Sequence, residues 1–271
     1  MNAPERSVRV RALGVDVHGV VREGTGGGVP LLLCNGIGAH HSTWRPFVEA
    51  LDARLTTIRF DAPGVGASST SRLPLPYQAI AEIAVRLVRE LDRTGQFDLL
   101  GISWGGALAQ QIAFQHPRAC RRLVLAATGT GSLMVPGSPR VLRHMVAPGR
   151  YRDPEYARRV AGTLYGGAVR RDPAAAAGLL TGEDRPPSRR GYLHQLLAGA
   201  GWTSLPWLPL IRQRTLVLAG TDDPIVPVVN ARVMTRLLPH ARLHTYDDGH
   251  LALITSATTL APVVSQFLLE A

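Results

Sequence analysis

Lysine is absent from this chain of 271 residues: all 30 basic residues are arginine, set against 20 acidic ones for a formal net charge of +10. A basic surface attracts nucleic acid or anionic lipid when it is clustered. Here the arginines are scattered, in runs as short as Arg170-Arg171 and Arg189-Arg190, with no aromatic interleaving. The charge therefore reads as a compositional bias, and no nucleic-acid partner is expected. Cysteine is scarce: Cys34 and Cys120 alone, at a spacing that suggests no metal or redox motif. Reduced thiols in a cytoplasmic protein are the expectation. No apolar stretch approaches the roughly 20 residues of a membrane span. Met1 to Val10 carries no apolar leader-like core. There is no Walker loop and no zinc spacing, and Gly64-x-Gly66 lacks the third glycine of a dinucleotide fingerprint. His40 and His41 are adjacent, so in an extended loop they are expected to point in different directions, and no metal site is expected there.

What is present is an ordinary globular balance, 45% hydrophobic and 18% charged, on a chain long enough to bury a large core. Val8 to Ala12 and Val15 to His18 alternate around Gly14 and read as an antiparallel hairpin. The short continuous apolar run at Val29–Cys34 suits a strand buried on both faces, and Leu55–Phe60, Phe97–Ile102, Arg122–Ala127, Thr215–Ala219 and Arg242–Tyr246 read as further strands. Helical spacing or placement marks Ser42 to Leu51, with a Ser or Thr cap, then Gln78–Leu91, Trp104–Gln115, Asn230–Leu238 and Thr258–Leu269. Alternating strands and helices predict an α/β fold: a mostly parallel eight-stranded sheet with helices on both faces. Between Ala127 and Thr215 the rhythm breaks. So long a structureless loop is uncommon, which predicts a helical lid over 129–211 inserted in a core of 1–128 and 212–271. Its apolar residues include Met134, Leu142, Met145, Tyr165, Leu179, Tyr192, Leu196, Trp202 and Trp207, while Gly182–Arg190 reads as an exposed loop.

Gly101-Ile102-Ser103-Trp104-Gly105 has the form G-x-S-x-G. With 28 Gly in the chain, chance alone yields such a pentapeptide in roughly one of eight sequences of this composition, so context must decide. The context is a strand ending at Ile102 and a helix opening at Trp104, the setting of a nucleophile elbow. A serine hydroxyl needs a base. Of nine histidines, His250 follows the last strand in Asp247-Asp248-Gly249-His250, where a glycine lets the loop turn back over the sheet. Asp222 and Asp223 both follow the strand before it, and either reaches the histidine as its carboxylate. The chain order Ser, Asp, His is that of α/β hydrolases. The oxyanion needs two amides: Trp104, after the nucleophile, and Ile37, in Asn35-Gly36-Ile37-Gly38 after an earlier strand.

These motifs, with Phe60-Asp61-Ala62-Pro63-Gly64-Val65-Gly66 and Gly105-Gly106-Ala107-Leu108-Ala109-Gln110-Gln111, resemble the intracellular medium-chain-length poly(3-hydroxyalkanoate) depolymerases of the α/β-hydrolase superfamily. The likeness enters the lid at Met134-Val135-Pro136-Gly137, Leu164-Tyr165-Gly166-Gly167 and Gly201-Trp202-Thr203-Ser204. It implies a serine esterase working through an acyl-enzyme, without a cofactor, on a polyester at a granule surface. It favours Asp223 over Asp222. The acyl pocket is expected to draw on Met134, Tyr165, Leu196, Trp202, Ile225 and Leu251, with Trp202 and Trp207 also serving granule contact. The core motifs alone also permit small-molecule carboxylesterases, lactonases, carbon–carbon bond hydrolases and perhydrolases, while the intact Ser103, Asp223 and His250 set argues against the further alternative, a ligand receptor on a silenced scaffold.

Overall fold

The computed structural model describes residues 5–91, 95–146, 148–173 and 186–270. Eight strands form one sheet: β1 Glu5–Ala12, β2 Val15–Arg22, β3 Leu31–Cys34, β4 Thr57–Phe60, β5 Phe97–Ile102, β6 Cys120–Ala126, β7 Arg214–Gly220 and β8 Ala241–Tyr246. Their order is β1-β2-β4-β3-β5-β6-β7-β8. The hairpin β1–β2 and the β2–β4 pair are antiparallel, and every other pair is parallel. This is the α/β architecture that the alternation of apolar runs and helical periods predicts.

Strand periodicity sorts the core into two layers. Leu32, Cys34, Leu99, Leu123, Leu125 and Val217 face one side, packed by helices α2 (Tyr77–Leu91) and α3 (Trp104–Gln115). Leu31, Leu33, Leu100, Ile102, Val124 and Leu218 face the other, covered by α1 (Arg45–Ala50) and the C-terminal helix Ala257–Leu269. Fully burying each such side chain contributes roughly 1.5–3 kcal/mol. Because both faces are covered, the strands read as continuous apolar runs.

One helix start differs from expectation. The chain enters through a 3-10 turn, His41–Trp44, capped by the His40 side chain, which accepts from the Ser42 amide; neither Ser42 nor Thr43 caps it. α1 then starts at Arg45, with Pro46 in its first turn. His40 competes successfully because its ring is already held by Asp61. The expectation that His40 and His41 diverge is also overturned. Their ring centroids lie 4.0 Å apart, since the 3-10 turn replaces the extended loop assumed. Asp61, fully buried after β4, is met by His18 Nδ1 at 3.3 Å, His40 Nε2 at 3.4 Å and His41 Nδ1 at 3.1 Å, and accepts from the His41 and Ala67 amides. The three side chains His18, His41 and Asp61 are close enough together to hold a metal ion.

Burial raises the Asp61 carboxyl, but hydrogen bonding from His41 and the nearby His40 and His41 rings more than offset this, so it lies below the usual carboxylate value. A lowered folded-state value adds stability that is present above the unfolded value of 3.8 and is lost as pH falls through the folded one. Asp61→Asn is expected to destabilise at neutral pH by about 3 kcal/mol, the order found on removing one partner of a buried pair. Melting curves of wild type and variant should converge below pH 4; a constant gap would show that Asp61 acts through shape alone.

Among the described residues from 127 to 213, short helices and turns replace strands: α4 Pro139–Leu142, α5 Pro154–Tyr165, α6 Gly167–Arg171 and α7 Arg189–Gly199. α5 starts on an Asp153 cap followed by Pro154 and stops at Gly166, φ +65°. α7 starts on the Ser188 cap, so Arg189 and Arg190 are helical instead of belonging to a loop. Leu179 and residues 182–185 lie outside the described residues. α7 rests on the core turn after β4 at Gly64 (φ +85°), where a Cβ on Gly64 would meet the Gly191 Cα at 2.4 Å. This close backbone contact is what the Gly64-x-Gly66 turn provides.

Candidate active site

The strand order places β5 in the middle of the sheet, beside β3, with Cys34 level with Gly101. The carboxyl ends of such neighbouring strands are where open α/β sheets collect ligands. Ser103 follows β5 at φ +56°, ψ −119°, a left-handed conformation that a serine adopts only under constraint. The constraint is visible. The Ser103 amide donates to Ala126 O at 3.0 Å, and its carbonyl accepts from Gly106 N and Thr128 Oγ1. A Cβ on Gly101 would lie 2.2 Å from Gly105 O, and one on Gly105 would lie 2.2 Å from Cys34 O, so the flanking glycines are sterically required.

Asp223, after β7, and His250, after β8, meet through a hydrogen bond of 2.8 Å from His250 Nδ1 to Asp223 Oδ2. Both are buried. The other Asp223 oxygen accepts from the Ile225 and Val226 amides at 2.9 Å each, which fixes the carboxylate's direction. The His250 amide donates to Tyr165 O at 2.8 Å, and the two rings stack at an interplanar angle of 21°. Asp222 turns elsewhere: it pairs with Arg170 at 3.1 Å and accepts from Gly167 N at 2.7 Å.

Ser103 and His250 line one pocket together with Asn35, Gly36, Ile37, Ala39, Thr43, Ile102, Met145, Arg150, Tyr151, Tyr165, Leu251 and Ile254. Gly36 approaches Ser103 closely, a Cβ there standing 3.7 Å from Ser103 Cβ. The Ile37 peptide is held by Tyr151, whose hydroxyl donates to Ile37 O at 2.7 Å. Gln195 on α7 accepts from Gly38 N through its side chain and from the Trp104 indole through its carbonyl. Among the described residues, no backbone carbonyl accepts from the Ile37 or Trp104 amide. The free volume is only about 40 Å³, far below the several hundred of a typical ligand pocket.

Of the expected pocket residues, Tyr165 and Leu251 line this cavity, and Met134, Leu196, Trp202 and Ile225 do not. Met134 and Ile225 pack with Val160, Leu164 and Leu251 in a small apolar cluster beside it. Leu196 is half-buried on α7. Trp202, 9% exposed, belongs to the main core, wedged against Tyr77 and Trp207 with its indole donating to Gln111. Met145, Arg150 and Tyr151 were missed, because they sit on irregular turns with no periodicity to orient them.

Residues 31–263 match the family model described as "Alpha/beta hydrolase family". A curated poly(3-hydroxyalkanoate) depolymerase of Ectopseudomonas oleovorans is 49% identical over 93% of this chain and 88% of its own length. Among solved structures, the enol-lactonase from Burkholderia xenovorans LB400 matches 97% of this chain and 100% of its own, with TM-score 0.82 at 23% identity. A hydrolase from Pseudomonas aeruginosa PA01 matches 98% and 99%, with TM-score 0.81 at 24% identity. Those two likenesses speak for the fold alone. With the family model spanning most of its length, the chain belongs to the alpha/beta hydrolase family.

Proposed function

We propose that this protein is a serine esterase that depolymerises a poly(3-hydroxyalkanoate). The observation that carries the substrate class is the 49% identity to the depolymerase of Ectopseudomonas oleovorans over nearly the whole of both chains. Ester hydrolysis is supported by the hydrogen-bonded Asp223–His250 pair sharing a pocket with the elbow serine. In this reading His250 removes the Ser103 proton as Oγ attacks the polymer carbonyl. The Ile37 and Trp104 amides stabilise the resulting oxyanion. The imidazolium, steadied by Asp223, protonates the leaving 3-hydroxyl. Water, deprotonated by His250, then cleaves the acyl-enzyme and regenerates Ser103.

Residues 129–211 serve as the lid. Their outer face, and not Trp202, meets the granule: Leu193 and Leu197, one turn apart on α7, are 52% and 47% exposed. In this reading the protein acts in the cytoplasm, on the granule. Among the described residues, no helix is long and apolar enough to cross a membrane.

The test pairs turbidity loss of a medium-chain polyester suspension with turnover of soluble p-nitrophenyl esters. A depolymerase clears the suspension and prefers medium acyl chains. Ester turnover without clearing would return the assignment to a small-molecule esterase or lactonase. Leu193→Asp with Leu197→Asp should lower the ratio of clearing to soluble turnover at least fivefold. An unchanged ratio would remove α7 from granule contact.

A further inference from the structure

The pocket that holds Ser103 also holds a positive charge that no carboxylate among the described residues pairs with. Arg150, on the turn Pro148–Tyr151, is 1% exposed and lines the cavity. One Nη donates weakly to His144 O at 3.3 Å, the Tyr165 and Tyr192 hydroxyls lie within hydrogen-bonding reach of the guanidinium, and it lies over the rings of Tyr151 at 4.7 Å and Tyr192 at 5.5 Å. Its Nε is buried with no hydrogen-bond partner. The groups facing it are tyrosines from three places: Tyr151 on its own turn, Tyr165 on α5 and Tyr192 on α7. Burial holds the Tyr165 and Tyr192 hydroxyls neutral, the latter pushed up to about 12. Among the described residues no carboxylate pairs with Arg150.

A guanidinium does not neutralise itself by losing its proton at any ordinary pH. A buried, unpaired charge is costly, and ring faces compensate it only partly. Arginines elsewhere in this chain find carboxylates readily, as Arg121 does at Asp98 and Arg214 at Glu270. Arg150 instead offers a planar donor fork beside tyrosine hydroxyls, inside an otherwise apolar pocket next to the nucleophile. That set matches a carboxylate.

We infer that Arg150 forms a carboxylate subsite that takes the free carboxyl end of a hydroxyalkanoate chain, so that hydrolysis proceeds from that end. The inference rests on the polyester reading above. A repeating polyester is neutral along its length, and only its terminus carries an anion. Seating that anion at Arg150 presents the ester next to the terminus to Ser103, and each turnover releases a 3-hydroxy acid and a shortened chain with a new free carboxylate. Arg150 is thus a specificity-determining residue and takes no part in proton transfer.

The experiment compares kcat/KM for a 3-hydroxyoctanoate dimer bearing a free carboxylate with that for its methyl ester, alongside clearing of the polymer suspension. Wild type should prefer the acid by roughly tenfold or more, mainly through KM. Arg150→Met should erase the preference to within about twofold, and Arg150→Lys should restore part of it. Octanoate should inhibit wild type competitively, and methyl octanoate should do so at least tenfold less well, a readout that needs no folded variant. Equal use of acid and methyl ester by wild type, or a preference surviving in Arg150→Met, overturns the proposal. Proportional loss on both substrates with a lowered melting temperature assigns Arg150 a structural role and overturns it equally. A wild type that discriminates the two dimers without clearing polymer refutes the depolymerase reading and leaves the carboxylate site standing.

Discussion

Ser103→Ala loses ester turnover by about a millionfold, the scale seen when one member of a nucleophile–base unit is removed and the rest acts alone. The size of the effect follows from the division of labour. Asp223 and His250 remain hydrogen-bonded in the variant, but with no Oγ there is no acyl-enzyme, and water must attack directly. What survives is binding and the oxyanion amides. The fold should survive as well. Ser103 is held at positive φ by backbone bonds from Gly106 and to Ala126, which an alanine makes equally. The measurement is burst and steady-state release of p-nitrophenol from a medium-chain ester, with a melting curve as control. Turnover retained within tenfold in a folded variant would remove the mechanism.

Asp223→Asn is expected to lower kcat by about ten-thousandfold, while Asp222→Asn stays within about threefold. The two aspartates are adjacent, yet their surroundings differ. Asp223 is buried, with one oxygen on His250 Nδ1 and the other on two amides. An asparagine there keeps the two backbone donors satisfied through its carbonyl, which turns its NH₂ toward His250. Nδ1 must then accept, so Nε2 carries the proton and His250 cannot take one from Ser103. Asp222 holds Arg170 and Gly167 near the surface, and its loss touches the α6 start, away from the base. Swapped effects, with Asp222→Asn inactive and Asp223→Asn active, would refute the assignment.

Local structure was legible where local rules suffice. β5 and α3 appear at the bounds expected, Phe97–Ile102 and Trp104–Gln115, because the elbow demands a strand, one strained residue and a helix in immediate succession. The parallel sheet was legible because strands covered on both faces are written as unbroken apolar runs. The 3-10 turn at His41–Trp44 was not, since the His40 ring caps it only once Asp61, far later in the chain, is alongside.

Sequence by itself determined the sheet, the elbow at Ser103 and the candidates for its partners, because each depends on the spacing of neighbours along the chain. The tertiary structure decided which aspartate meets His250, drew Trp202 into the core, gathered His18, His40 and His41 about Asp61, and set Arg150 in the pocket beside Ser103. Those are choices of side-chain direction across packed elements. Among thirty arginines in a linear sequence nothing marks Arg150 as one that is buried with no carboxylate partner among the described residues; its environment comes from Tyr165 and Tyr192, brought to it from separate helices only by the fold.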